Sequence, residues 1–156
     1  LYKKCKELNA SNKVEARMIW GCQWDVTMNW LISSGAKTSD EVNSDSSSWG
    51  NYYNTSVKAD DGTTEIKASE EAQVLNTGET TFTMANNIYD LAGNVWEWTQ
   101  EAYDTNNRAS RGGSYNSDGS VFSASNCDFV YPDYSDYDSL RFSSHFNNKV
   151  ILDSRA

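Results

Sequence analysis

What this chain of 156 residues has little of is positive charge: 13 Lys and Arg face 22 Asp and Glu, for a net charge of −9. Phosphate backbones are bound by clustered Lys and Arg, so nucleic acid is not an expected partner. Histidine is down to His145 alone. That leaves no imidazole cluster for a metal and a poor start for a Ser-His-acid relay. Cysteine is scarce and odd in number. Cys5, Cys22 and Cys127 lie far apart and define no disulfide framework, although one pair could still close in the fold. A single proline and nine glycines argue against a disordered or collagen-like chain. No apolar run approaches the length of a membrane span. The chain opens on Leu1 with no charged-then-apolar leader, which reads as a trimmed piece of something longer.

What is present is aromatic. Six Trp, nine Tyr and five Phe supply large areas for burial, enough to anchor long loops without dense secondary structure. The length predicts one domain over 1–156 with its own core. Leu1 to Leu8 is Lys-rich and reads as a helical turn or a frayed end. Trp20, Trp24, Val26 or Thr27, and Trp30-Leu31 recur at roughly helical spacing, and Gly35 stands where a helix stop belongs. The spacing predicts a helix over about Gln23 to Ser33 that buries one aromatic face. From Ser34 to Thr83 the chain is polar, which predicts surface loops tied down by Trp49, Tyr52 and Tyr53. Strands are expected over Val95 to Thr99 and from Arg111 through Tyr115, with a closing strand at Leu140-Arg141-Phe142 near Phe146. Trp96 and Trp98 alternate with Glu97, so one strand face is expected to be aromatic while Glu97 points elsewhere.

Two runs are specific enough to name a family. Asn87-Ile88-Tyr89-Asp90-Leu91-Ala92-Gly93-Asn94-Val95-Trp96-Glu97-Trp98-Thr99, followed by Arg111-Gly112-Gly113-Ser114-Tyr115, resembles the signature of the formylglycine-generating-enzyme (sulfatase-modifying factor) superfamily. A family ending of Gly-Phe-Arg survives as Ser139-Leu140-Arg141. The resemblance implies an α+β, C-type-lectin-like fold: a small twisted antiparallel sheet, two helices and many long loops. It also implies a calcium set at Asp90, Gly93, Val95 and Glu97, two side-chain carboxylates and two backbone carbonyls of the hard-oxygen kind that suits Ca²⁺. A Glu that hydrogen-bonds the loop with no metal is the competing reading. No cofactor is otherwise required.

Family resemblance does not transmit activity. The catalytic members use two close cysteines near the C-terminus to hold copper, and here only Cys127 lies in that region. One thiol cannot build a two-thiolate site. The iron-dependent relatives need several histidines. The expectation is therefore no enzyme.

Residues 103–148 contain no Lys, Glu, Gln, Met or Trp, although all five types are common earlier, and their acids are Asp104, Asp118, Asp128, Asp133, Asp136 and Asp138. Many of those present (Asn, Asp, Tyr, Ser, Phe, Val, Cys, His, Gly) are among the ones reached by altering the adenines of AAC or AAT codons. This composition is similar to that of the variable proteins of diversity-generating retroelements, lectin-fold proteins of phages and bacterial surfaces whose C-terminal stretch is rewritten at adenines. The resemblance implies a variable ligand-binding region over about 115–148. Its rewritten positions would be Asn116, Ser117, Asp118, Val121, Phe122, Asn126, Cys127, Asp128, Phe129, Val130, Tyr131, Asp133, Tyr134, Asp136, Tyr137 and Asp138. Gly119, Ser120, Ala124, Ser125, Pro132 and Arg141 would be frame. The implied partner is a protein or carbohydrate on a host or neighbouring cell, met from a phage virion or bacterial surface.

Side-chain chemistry leads to the same place. Tyr offers large contact area with few rotors, while Ser, Asn and Asp give adaptable hydrogen bonding, as in antibody paratopes. Phe122 and Phe129 are expected to be exposed and to invite a partner. The alternatives are a static domain of the same family that binds a fixed carbohydrate or serves as a structural module, and, further off, a cofactor-dependent oxidase.

Overall fold

The computed structural model describes residues 18–131. The Lys-rich start, Cys5, the closing strand expected at Leu140-Arg141-Phe142, Phe146 and His145 lie outside the described residues.

Helix α1 spans Gly21–Ser33. Its first turn is closed by Gln23, whose Oε1 accepts from the Trp20 backbone N–H at 2.9 Å, and it stops at Gly35, whose φ of +74° a side chain would resist. The buried stripe is Trp24, Met28 and Leu31, the i, i+4, i+7 pattern of one helical face. The expected aromatic face is therefore wrong in two members. Trp30 is 44% exposed and Trp20 52%. Trp30 is six residues on from Trp24, which turns it roughly 120° away from the stripe. Helix α2, Ser39–Asn43, starts with a reciprocal cap: Glu41 N–H donates to Thr38 Oγ1 at 3.2 Å and Thr38 N–H to Glu41 Oε2 at 2.8 Å. The Thr38 amide holds the Glu41 carboxyl below its ordinary value.

The polar middle is loop-rich, as expected, with two small antiparallel hairpins. Strands β1 (Val57–Lys58) and β2 (Glu65–Lys67) form the first, and β3 (Met84–Ala85) and β4 (Ile88–Tyr89) the second. The second turns on Asn86 and Asn87, both at positive φ, as a two-residue hairpin loop requires. Trp49 and Tyr52 are buried anchors. Tyr53 is not: its ring is exposed and only its backbone is tied, N–H to the Ser117 carbonyl and carbonyl to the Glu70 N–H. Lys67 is a buried cation, its ammonium donating to the carbonyls of Tyr52 (2.6 Å), Glu71 (3.1 Å) and Ala68 (3.4 Å). Those carbonyls replace the lost water, and burial still pushes its pKa down.

The main sheet is antiparallel, ordered β5-β6-β7: Glu97–Ala102, Arg108–Arg111 and Cys127–Val130. Strand β5 begins two residues later than expected. Trp96, Glu97 and Trp98 are all buried, so Glu97 does not face water. Strand β6 ends at Arg111 instead of running on to Tyr115, because Gly112 and Gly113 take φ of +89° and +75° and turn the chain out of the sheet. Strand β7, inside the stretch expected to be rewritten, was not expected. Arg108 pairs with Val130, Ala109 with Phe129, Ser110 with Asp128 and Arg111 with Cys127.

One core joins these pieces: Trp24, Met28 and Leu31 of α1, Val42 of α2, then Trp49, Tyr52, Ala85, Leu91, Ala92 and Ala124. Trp24→Ala should cost about 3–5 kcal/mol in chemical denaturation, and Trp30→Ala less than about 1 kcal/mol. Equal losses would mean that the helix face has been misassigned.

Candidate functional site

The site is built on the loop that carries the signature. Gly93 lies against Asn51 in an isolated parallel bridge, with its N–H donating to the Gly112 carbonyl at 2.7 Å. A Cβ at Gly93 would run into the Asn51 carbonyl, and its φ is +67°. Asn94 then ties three segments. Its N–H donates to the Asn51 carbonyl (2.7 Å), and its carbonyl accepts from the Tyr115 N–H (2.9 Å). Its side-chain amide bonds both backbone groups of Leu75 at 3.0 Å and accepts from the Asn51 amide at 3.1 Å.

From Tyr115 the chain crosses the surface in turns before entering β7. Ser114 Oγ bonds the side chains of Asn116 (2.7 Å) and Ser117 (2.8 Å). Asp118 is the organiser of the next turn. One carboxylate oxygen accepts from the Ser120 N–H (2.8 Å), the Ser120 hydroxyl (2.7 Å) and the Asn54 amide (3.0 Å). The same Asn54 accepts from the Gly119 N–H at 3.1 Å. The loop is fastened to the core at Ala124, whose N–H reaches Ser46 Oγ (2.9 Å) and whose carbonyl accepts from the Trp24 indole (3.0 Å).

Eleven of the sixteen expected ligand-binding positions are described, and none is buried. Asn116, Val121, Asp128, Phe129 and Tyr131 are exposed, while Ser117, Asp118, Phe122, Asn126, Cys127 and Val130 are half-buried. Asp133, Tyr134, Asp136, Tyr137 and Asp138 lie outside the described residues, as do Pro132 and Arg141. Of the expected frame, Gly119 and Ala124 are buried, Ser125 is half-buried and Ser120 is exposed. Phe122 is not the open aromatic expected. Its ring meets Trp96 edge to face at 5.3 Å and 80°. Phe129 is open on one side and stacks on Tyr103 at 4.4 Å.

Behind β7 lies an ion cluster. The buried guanidinium of Arg111 contacts Glu101 at 2.6 Å and Asp25 at 3.3 Å. Burial pushes the Cys127 thiol up, and Arg111 only partly offsets it. Cys22 and Cys127 are both free thiols. Asp90, Gly93, Val95 and Glu97 are all buried. Their two carboxylates and two carbonyls fall short of the six to eight oxygens, roughly, that calcium takes. No third acid, His or Cys joins them in a cluster among the described residues. The chain's own groups therefore fit calcium only in part.

Residues 24–139, well over half of the chain, match the model of the sulfatase-modifying factor enzyme 1-like domain. The chain belongs to that family. The helices and small antiparallel sheets of this sulfatase-modifying-factor-like domain fit the α+β, C-type-lectin-like fold. Among solved structures, Treponema denticola variable protein 1 is similar at 16% identity and a TM-score of 0.47, over 82% of this chain and 44% of that one. The domain thus spans under half of that protein's length. No curated protein sequence matches it.

Sequence reasoning missed Asn54, the ion pairs of Arg111, and Tyr103. The first two act across 64 and 86 residues of chain, from Asn54 to Asp118 and from Asp25 to Arg111, and no local pattern carries that. In this domain Asp118→Ala should lower stability by about 1–2 kcal/mol, since it strands the Asn54 and Ser120 donors. Asp118→Asn should recover most of the loss, and Val121→Ala should change little. Thermal melts of the three variants decide, and an Asp118→Ala melt equal to wild type would remove the turn-organising role.

Proposed function

We propose that this domain is a non-enzymatic ligand binder, the variable protein of a diversity-generating retroelement displayed on a phage virion or bacterial surface. One observation carries the reading: every described position expected to be rewritten reaches solvent, while the residues fastening that stretch, Gly119 and Ala124, are buried. A surface can change its side chains and keep its fold only if the two tasks fall on different residues.

Ligand counts argue against the chemistry of the catalytic relatives. The chain holds three cysteines and one histidine. Cys127 sits opposite Arg111 on the neighbouring strand, and no second cysteine accompanies it in that part of the chain. The partner is a protein or carbohydrate on a host or neighbouring cell, recognised by surface complementarity.

Replacing Asn116, Val121, Asp128, Phe129 and Tyr131 together by Ser should leave the melting temperature within about 5 °C and abolish binding on an array of bacterial surface proteins and glycans. An unchanged binding profile would refute the mapping. At the DNA level, the locus should carry a reverse transcriptase and a near-repeat of the coding segment that differs only at adenines. A repeat differing equally at all four bases would refute the retroelement assignment.

A further inference from the structure

The described part of the rewritten stretch includes β7, whose side chains alternate between the two faces of the sheet. Phe129 and Tyr131 fall on one face. Ala102, Arg108 and Val130 form a level row across the three strands. One step beyond that row come Tyr103, at the end of β5, and Tyr131, at the end of β7, on either side of Asn107. The Tyr103 N–H bonds the Asn107 carbonyl at 3.2 Å, so the hairpin is still closed there. The two tyrosines stand two strand spacings apart, about 10 Å. Phe129 lies one pleat back on the same face, and its ring stacks on that of Tyr103 at 4.4 Å with 32° between planes. All three remain open to solvent: Tyr103 is 66% exposed, Tyr131 46% and Phe129 39%. The outermost of them, Tyr103, is not among the positions expected to be rewritten.

The charge beside these rings is negative. Asp104 follows Tyr103 and is exposed. The Asn106 and Asn107 amides (both 2.7 Å) and the Asn107 side chain (2.9 Å) donate to it and hold its carboxyl below the usual carboxylate range. It is therefore charged at any physiological pH. Asp128, also exposed, is on the opposite face of β7 from Phe129 and Tyr131 and adds only to the general field. The nearby cation, Arg108, is turned onto the carbonyls of Asp104 (3.1 Å) and Asn107 (3.0 Å). The chain as a whole carries −9.

We propose that Tyr103, Phe129 and Tyr131 form an aromatic docking platform for a Lys- or Arg-bearing segment of a partner protein, with Tyr103 as a fixed contact beside the changing ones. Ammonium and guanidinium groups are drawn to open aromatic faces, and the field of Asp104 and the net charge steers such groups inward. An acidic partner would be repelled by the same field. A constant tyrosine in the platform gives every rewritten version of the face one common anchor. The inference rests on the binder reading and adds to it the partner's chemistry and a contact outside the rewritten positions.

The test uses surface-immobilised synthetic peptides of equal length, rich in Lys and Arg, in Asp and Glu, or in Ser, beside a glycan array. The cationic peptides should retain the protein best, less at high salt. Tyr103→Ala should weaken that retention by about five- to tenfold, Tyr103→Phe should restore most of it, and Trp30→Ala on helix α1 should leave it unchanged. The melts of Tyr103→Ala and Tyr103→Phe should match wild type, which separates contact from folding. Retention equal on all three peptide classes, or by glycans instead, overturns the cationic partner. Wild-type retention by Tyr103→Ala, with loss in the five-position Ser variant, overturns the platform and leaves the binder reading standing. Wild-type retention by both overturns both.

Discussion

Asn94 is the point on which the rest of the structure depends. Its amide and backbone join the chain at Asn51, Leu75 and Tyr115, three segments far apart in sequence. Each bond alone contributes about 1 kcal/mol, but a buried amide stripped of its partners costs more than the bonds returned. The neighbouring glycine is forced by the same contact, because no side chain fits between residue 93 and the Asn51 carbonyl. Ala-Gly-Asn is therefore one structural statement: a small residue for the core, a glycine for close approach, an amide for the tie. With those three in place the polar middle of the chain needs little regular structure of its own.

A tie of that kind makes a changeable surface tolerable. The stretch after Tyr115 leaves the Asn94 carbonyl, is clamped by Asn54 at residues 118 and 119, and is fastened at Ala124 by Ser46 and the Trp24 indole. Between those fixed points Ser120 and Val121 face water, while Ser123 is buried. The division is not absolute. Asp118 and Phe122 sit on the face yet serve the frame, one by organising a turn and the other by packing on Trp96. Changes at these two positions act through the fold as well as through contact, whereas those at Val121, Phe129 and Tyr131 act through contact.

The fold was legible where the sequence is locally specific. The Asn87 to Thr99 run announces a loop and a strand, and both are present, the strand two residues late. The strand expected from Arg111 to Tyr115 instead ends at Arg111, where Gly112 and Gly113 turn the chain away. The helix was legible in extent from Trp24, Leu31 and Gly35. Its buried face was not, because three tryptophans within eleven residues suggest one stripe where a helix can bury only the members that share its face. Strand β7 was hidden for a different reason. Cys127-Asp128-Phe129-Val130 has no clear apolar alternation, and none of the four is fully buried, so neither face of the strand carries a core pattern. Tyr103 escaped notice because it comes thirteen residues before the expected site and joins it only through sheet register. Long-range pairing, not residue type, put it there.

The separation of frame from face is measured most directly by two libraries under protease challenge. One varies residues 116, 121, 128, 129 and 131 with all amino acids, and the other varies Gly93, Asn94, Gly119 and Ala124 in the same way. If the buried tie sets the fold, most members of the first library should resist cleavage as well as the parent, and almost none of the second should. Similar survival in both would contradict that separation.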